Sequence, residues 1–209
     1  VVAAAEAGAA VGAVSARVAG VISGAVAPRE TGDMKRFLRC LKHAWADVRD
    51  TERALSADAA QRLTDRIAAS EQRHSGEIRI CVEAGLPPAM AWRIDGPGTA
   101  LHRVTRERAV QWFGQLRIWD TEHNNGVLIY LLLAERAIEI VADRGLARHV
   151  AAAEWQAVAD RLGGQLRCGA SEEGLTQALE EVSALLVQHH ALERAAPNPD
   201  ELPNYVVRA

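Results

Sequence analysis

Lysine is nearly absent from this chain. Lys35 and Lys42 are the only two, so arginine supplies the rest of its 24 basic side chains. We read that bias as one of GC-rich coding rather than phosphate binding, and a formal net charge of -3 excludes bulk attraction to nucleic acid. Cysteine is scarce too. Cys40, Cys81 and Cys168 lie far apart and form no CxxC pair, which argues against a zinc ribbon or thioredoxin-type site and fits a reducing compartment. Cys81 falls in a strand-like run, where a thiol serves as a small buried hydrophobe. The longest strongly apolar run, Val127 to Ala134, is far short of the roughly 20 residues that cross a bilayer. HExxH, GxSxG, P-loop and GxGxxG patterns are all missing, so no familiar catalytic signature marks the chain.

What is present is the make-up of a globular protein. Of 209 residues, 49% are apolar and 24% charged, enough for one domain with a sizeable core. The first 33 residues are mostly Ala, Val and Gly. Arg17 interrupts them and no basic leader precedes them, unlike a signal peptide. We read Met34 as the natural start and residues 1–33 as an extension ahead of it. Residues 34–50 open with MKRFLRCLKHAWA, in which Phe37, Leu38, Leu41 and Trp45 recur at helical spacing among basic residues. Such a helix either packs on the domain, the simpler reading for so short a stretch, or docks on a membrane surface or a partner.

The domain itself spans residues 51–192. Ser56 reads as a helix N-cap, with Asp58 in the first turn and Leu63 and Ile67 on the inner face. Glu77 to Glu83 alternates polar and apolar, which predicts a strand with one buried face and places Glu77, Glu83 and Glu139 at solvent-facing or inter-strand positions. Residues 84–103, punctuated by Gly85, Pro87, Pro88, Gly96, Pro97 and Gly98, predict a long loop. A helix follows over Thr105 to Arg117. Val127 to Leu133 is apolar on both faces and predicts a central strand, and Ala137 to Ala142 pairs back as a hairpin. Two helices close the domain, one from about Arg148 to Leu166 and one from Ser171. The tail, residues 193–209, holds Pro197, Pro199 and Pro203 and is expected along the surface or loose. Strand, crossover helix and strand imply a parallel right-handed pair. The expected architecture is therefore a three-layer α/β/α sandwich with a small mixed sheet and helices on both faces.

One stretch reads as a candidate site. WDTEHNNG carries Asp120, Glu122, His123, Asn124 and Asn125 just before the central strand. Clustered carboxylate and amide oxygens on a loop suit a hard cation, calcium or magnesium. Asp143 and Arg144 follow the antiparallel return strand, so topology brings them near Asp120 to Asn125. Carboxylates with an arginine at a sheet end can hold a metal and a phosphate group. The structural alternative is equally concrete: Asn-Asn-Gly is turn chemistry, Asp120 caps an amide, and Arg144 bridges to Asp120 or Glu122. His189 and His190 are adjacent at a helix end, where the dipole favours them and their side chains diverge.

The order of these elements, with GEIRICVE, a helix ending Leu116-Arg117-Ile118-Trp119, and NNGVLIYLLLAERAIEIVADRGL, resembles the TPM domain family. The resemblance runs from about Ser56 to His190 and rests on fold markers, Asn125 to Ile129 and Arg136 to Leu146. It implies an α/β/α sandwich with an acidic cleft at the strand ends. It also implies acid phosphatase activity, calcium binding, or a part in membrane-protein maintenance beside LemA-type membrane proteins of bacteria. The chain departs from the family pattern at Asn124, where an acidic residue is usual, and Asp120 and Glu122 lie upstream as substitutes. The expectation is a cytoplasmic, membrane-associated protein of one of two kinds. One is a divalent-cation-dependent phosphatase, with Asp120, Glu122, Asn124 and Asn125 on the metal and Asp143 and Arg144 in the catalytic role. The other is a non-catalytic interaction module that assists membrane-protein or envelope maintenance.

Overall fold

The computed structural model describes residues 30–95, 98–192 and 201–209. The Ala/Val/Gly extension before Glu30 lies outside the described residues. Eight helices and four strands follow one another among those described: α1 (Glu30–Trp45), α2 (Val48–Ala54), α3 (Ala57–Glu71), β1 (Ile78–Glu83), α4 (Pro88–Ala91), α5 (Thr99–Gln115), β2 (Val127–Leu132), β3 (Ala137–Ala142), α6 (Arg144–Ala147), α7 (Ala152–Arg167), α8 (Ser171–His190) and β4 (Val207–Arg208). The sheet order is β3-β2-β1-β4. β1 runs parallel to β2, with Ile78 opposite Val127, and β2 runs antiparallel to β3, with Val127 opposite Ala142.

The two faces of the sheet carry different helices. Ile78, Ile80 and Val82 join Val127, Ile129 and Leu131 in a core closed by Leu63 and Ile67 of α3, Val158 and Leu162 of α7, and Leu175, Leu179 and Leu186 of α8. Cys81, Leu128, Tyr130 and Val141 face Met90 of α4 and Val104, Ala109 and Phe113 of α5. Each such Leu or Ile contributes roughly 1.5–3 kcal/mol when removed from water. The fold is thus the three-layer α/β/α sandwich with a mixed sheet that the element order implies.

Three sequence expectations need correction. Residues 84–103 are not a long loop: α4 occupies part of them and α5 begins at Thr99 rather than Thr105. The tail is not loose at its end, because Val207 and Arg208 pair in parallel with Cys81 and Val82 as a fourth strand. The third correction concerns the alternating glutamates. β1 is buried on both faces, and Glu77, Glu83 and Glu139 are all in the interior.

For Glu83 and Glu139 the physical reason lies in α5, while Glu77 accepts from the Glu201 amide at 3.3 Å. Glu83 accepts hydrogen bonds from Arg108 Nε (3.0 Å) and Nη2 (2.5 Å), from Trp112 Nε1 (2.9 Å) and from the Tyr130 hydroxyl (2.6 Å). One carboxylate therefore ties β1, β2 and α5 together. Arg108 also lies over the Trp112 ring, 5.1 Å from its centroid. On the other side of the helix, His102 (3.4 Å) and Arg106 (3.6 Å) reach Glu139 of β3, and Arg106 Nη1 donates to the Ile140 carbonyl at 2.6 Å. Strand polarity that reads as solvent-facing is matched by basic side chains at helical spacing.

α1 is held the opposite way from most surface helices. Its polar side faces the protein. Arg39, Lys42 and His43 converge on Glu135 in the β2–β3 turn, at 3.3, 3.5 and 3.1 Å. Arg39 Nη1 donates to the Ile94 carbonyl at 2.8 Å, and the Leu86 amide donates to His43 Nδ1 at 2.9 Å. With Nδ1 accepting, the ring proton sits on Nε2 and is donated to Glu135. Gly85 permits this approach: a Cβ there would stand 2.6 Å from the His43 carbonyl oxygen. Burial disfavours the Glu135 carboxylate, but the His43 hydrogen bond and the charges of Lys42 and Arg39 outweigh it and hold its pKa below the ordinary range. Arg36 and Cys40 share this inner side, so the apolar residues of α1 point away from the domain.

Arg108→Ala strands the Glu83 carboxylate in the core, and we expect a loss of about 3–5 kcal/mol of stability. Tyr130→Phe removes one hydrogen bond to the same carboxylate and should cost about 1–2 kcal/mol. Urea unfolding of both variants and their double mutant measures the two effects and their coupling.

Candidate functional site

The loop between α5 and β2 is bent by two residues with left-handed backbone, Arg117 (φ 55°) and Asn124 (φ 52°). Between them Ile118 is fully buried, and Thr121 presents its hydroxyl to the Asn125 amide at 3.2 Å. Gly126 then enters β2 against the Ile118 carbonyl, where an added Cβ would stand only 2.2 Å from that oxygen. Gly145 is equally confined, with a Cβ position 2.4 Å from the His123 carbonyl and 2.5 Å from that of Asn124. The Gly145 amide donates to Asn124 O at 2.8 Å and the Asp143 amide to Gly126 O at 2.9 Å. Backbone contacts therefore lock the start of β2 to the end of β3, and both glycines are required for it.

This geometry assembles four of the six predicted residues. Arg144 Nε and Nη2 donate to Asn124 Oδ1 at 3.1 and 3.0 Å. Asp143 caps α6, accepting from the Arg144 amide at 2.6 Å through Oδ1 while its Oδ2 is buried with no hydrogen-bond partner. Asn125 is fully buried. Its Nδ2 donates to Ser75 Oγ at 3.1 Å, and its Oδ1 also lacks a hydrogen-bond partner. Asp120 and Glu122 stay outside this group. Asp120 is exposed and paired with Arg117 at 2.6 Å, and Glu122 touches Glu201 through its own amide at 3.0 Å. Arg144 meets Asn124, not a carboxylate.

The assembled set offers two amide oxygens and one carboxylate beside a guanidinium. Calcium takes six to eight oxygens. Among the described residues, no group of three or more His, Cys, Asp or Glu side chains stands so as to hold a metal ion. The assembled set holds one carboxylate, and we derive no chemistry through a cation.

Histidines that the sequence does not connect lie around the same end. His149 and His189 stack, ring centroids 5.3 Å apart and planes 16° apart. His190 turns to the Gly145 backbone instead, so the adjacent pair diverges as its helix position implies. Its pKa is lowered, chiefly by burial, and the Gly145 contact works against that while His123, His149 and His189 reinforce it. Nothing in linear spacing announces this grouping; only the closure of α6 and α8 on the β2 loop creates it. His74 is the most enclosed of the seven histidines. Its Nδ1 donates to the Gly76 carbonyl at 3.0 Å, and the Ser183 hydroxyl, 3.0 Å from Nε2, supplies the other bond. Ser183 accepts in turn from Arg73 Nη2 at 3.0 Å. The ring is thus bonded as a neutral imidazole, and burial holds its pKa down to about 4.

The fold and this strand-end cluster define a small α/β/α sandwich domain with a polar rim at the amino ends of its parallel strands. The sequence profile of the TPM domain matches residues 48–185, and the chain belongs to that family. Among solved structures it is similar to the NMR structure of the BA42 protein from the psychrophilic bacterium Bizionia argentinensis. The two share 26% identity with a TM-score of 0.61, over 74% of this chain and 95% of that one. No curated protein sequence matches the chain. No helix among the described residues is long and apolar enough to cross a membrane.

His74 carries a pH dependence of stability. Its folded pKa lies below the unfolded value near 6.5, so the unfolded chain binds the proton first. The stabilisation is full above that unfolded value and fades as pH falls toward about 4, by up to about 3 kcal/mol. Thermal melts between neutral and mildly acidic pH should show this loss, and His74→Gln should flatten it.

Proposed function

We propose that this TPM-domain protein works as a non-catalytic interaction module in membrane-protein or envelope maintenance. The observation that carries this reading is α1. It lies ahead of the family-matched segment, which begins at residue 48, and it is fastened to the domain through Glu135, Leu86 and Ile94. Fastened in that way, it presents an apolar face outward on a rigid scaffold. A domain that spends several polar contacts on holding an extra helix apolar-side out is built to meet something.

The polar rim supports the same reading. Asp120 is occupied by Arg117 and Asn124 by Arg144, and Asp143 caps a helix, so the side chains are committed to holding the loop. A specific observation favours the rival, a divalent-cation-dependent phosphatase: Asn125 Oδ1 and Asp143 Oδ2 are buried and have no hydrogen-bond partners. Oxygens of this kind suit a hard cation, and a guanidinium such as that of Arg144 suits a phosphate.

The test is phosphate release from a generic aryl ester by the full chain, with calcium, magnesium and manganese in turn. We expect no release above the metal blanks, and the same result for Asp143→Asn. Turnover by the wild type that Asp143→Asn abolishes would overturn the module reading in favour of the phosphatase.

A further inference from the structure

On α1, Met34, Phe37, Leu38, Leu41 and Trp45 are 59%, 52%, 56%, 37% and 81% exposed. At 3.6 residues per turn they fall within an arc of about 100° along three turns of one helix. Val48, at 53%, extends the strip into α2, and Trp92, the residue after neighbouring α4, is also exposed. Scattered surface hydrophobics are ordinary, but a continuous strip of Met, Phe, Leu, Leu and Trp on a helix whose polar side is buried marks an interaction surface.

The charges around the strip indicate what it meets. From Met34 to Trp45 there are four basic residues, Lys35, Arg36, Arg39 and Lys42, and the acidic residues of α1, Glu30 and Asp33, stand in its first turn ahead of the strip. Arg36 and Arg39 turn inward. Lys35 and Lys42, seven residues apart, lie along one rim of the apolar arc. They are the only lysines in the chain. A lysine at the edge of an apolar strip lays its alkyl stem along the hydrocarbon and lifts its ammonium to an anionic surface, whereas protein–protein interfaces are depleted in lysine. A second copy of the chain is the rival occupant, since Asp33 and Asp47 flank the strip, and the oligomeric state tests it.

We propose that α1 is an interfacial helix that docks the domain on an anionic lipid surface, with Phe37, Leu38, Leu41 and Trp45 entering the headgroup–acyl boundary and Lys35 contacting lipid phosphate while Lys42 stays on Glu135. The proposal rests on the module reading above and names its partner. Apolar burial and attraction to anionic lipid act together in such helices, so neither a neutral bilayer nor high salt should support full binding. Fixed to Glu135 by three side chains, α1 would hold the TPM domain at a defined orientation above the bilayer.

The experiment uses the full chain with sonicated vesicles of phosphatidylcholine alone and with about one-third phosphatidylglycerol. Sedimentation should recover roughly tenfold more protein on the anionic vesicles, less as salt rises. Tryptophan emission should shift to the blue on binding, and Trp45→Phe should remove most of that shift. Leu38→Ser, at an exposed position that leaves the fold intact by circular dichroism, should abolish recovery, and Lys35→Glu should weaken it severalfold. Equal recovery on both vesicle types, or binding indifferent to Leu38→Ser, overturns the proposal. So does a dimer in sedimentation velocity that Leu38→Ser dissolves, which makes the strip a contact between copies. Shielding of Trp45 from acrylamide in the free chain also overturns it, because the strip is then already covered. Failure on vesicles leaves the module reading standing, since that reading falls only to phosphate turnover lost in Asp143→Asn.

Discussion

A carboxylate at the end of a buried strand has few ways to exist, and Glu83 has taken nearly all of them at once. Arg108 gives it a counter-charge, and Trp112 and Tyr130 give it two more donors. Because these partners come from α5 and β2, the charge of one β1 residue sets the distance and angle between helix and sheet. Cys81, one pleat away on the same face, is enclosed by that contact, and burial raises its thiol pKa far from reactivity. The Tyr130 hydroxyl is likewise pushed up, by burial first and then by the Glu83 charge, so it acts only as a donor. The helix layer over this face combines an ionic network with an apolar cluster that includes Val104, Ala109 and Phe113. Such networks add specificity of arrangement even where an apolar core of the same volume would be as stable.

With α5 fixed in this way, the loop that leaves it has little freedom. Gln115 ends the helix, Arg117 reverses the chain, and Ile118 fills the core beside Gly126. The amide-rich stretch before β2 is therefore positioned by backbone contacts from both sides, the Thr121 hydroxyl within and Gly145 across the hairpin. Its polar side chains settle mostly on each other. Asn124 and, across the hairpin, Asp143 take part in closing the loop, through Arg144 and the start of α6.

The sheet and its two helical layers were legible because hydrophobic period alone separates Val127 to Leu132 from the amphipathic helices around it. The meeting of Asn124 with Arg144 was legible too, since a short antiparallel hairpin must bring its two ends together. What the sequence hid follows a common cause. Glu83 and Glu139 read as solvent-facing or inter-strand charges, because alternation is blind to whether a helix with Arg106 and Arg108 covers the polar face. The fourth strand was hidden because two residues, Val207 and Arg208, carry no period and follow a proline-rich run. The stacking of His149 on His189 depends on α6 and α8 converging, 40 residues apart in sequence. In each case the missing information was a tertiary partner, not a local preference.

α1 shows how the same rule extends to function. Its apolar spacing predicts a helix with one greasy side, and the simplest packing rule would turn that side inward. The domain prevents it. The β2–β3 turn offers Glu135, and Arg39, Lys42 and His43 converge on it, which turns the opposite side of α1 outward. Gly85 lets α1 lie this close, since a Cβ there would stand 2.6 Å from the His43 carbonyl oxygen. The outward strip is thus a consequence of charge placement on the hairpin turn. Its exposure is held by the domain's own electrostatics, so any surface that covers the strip must do so without displacing Glu135 from its three partners.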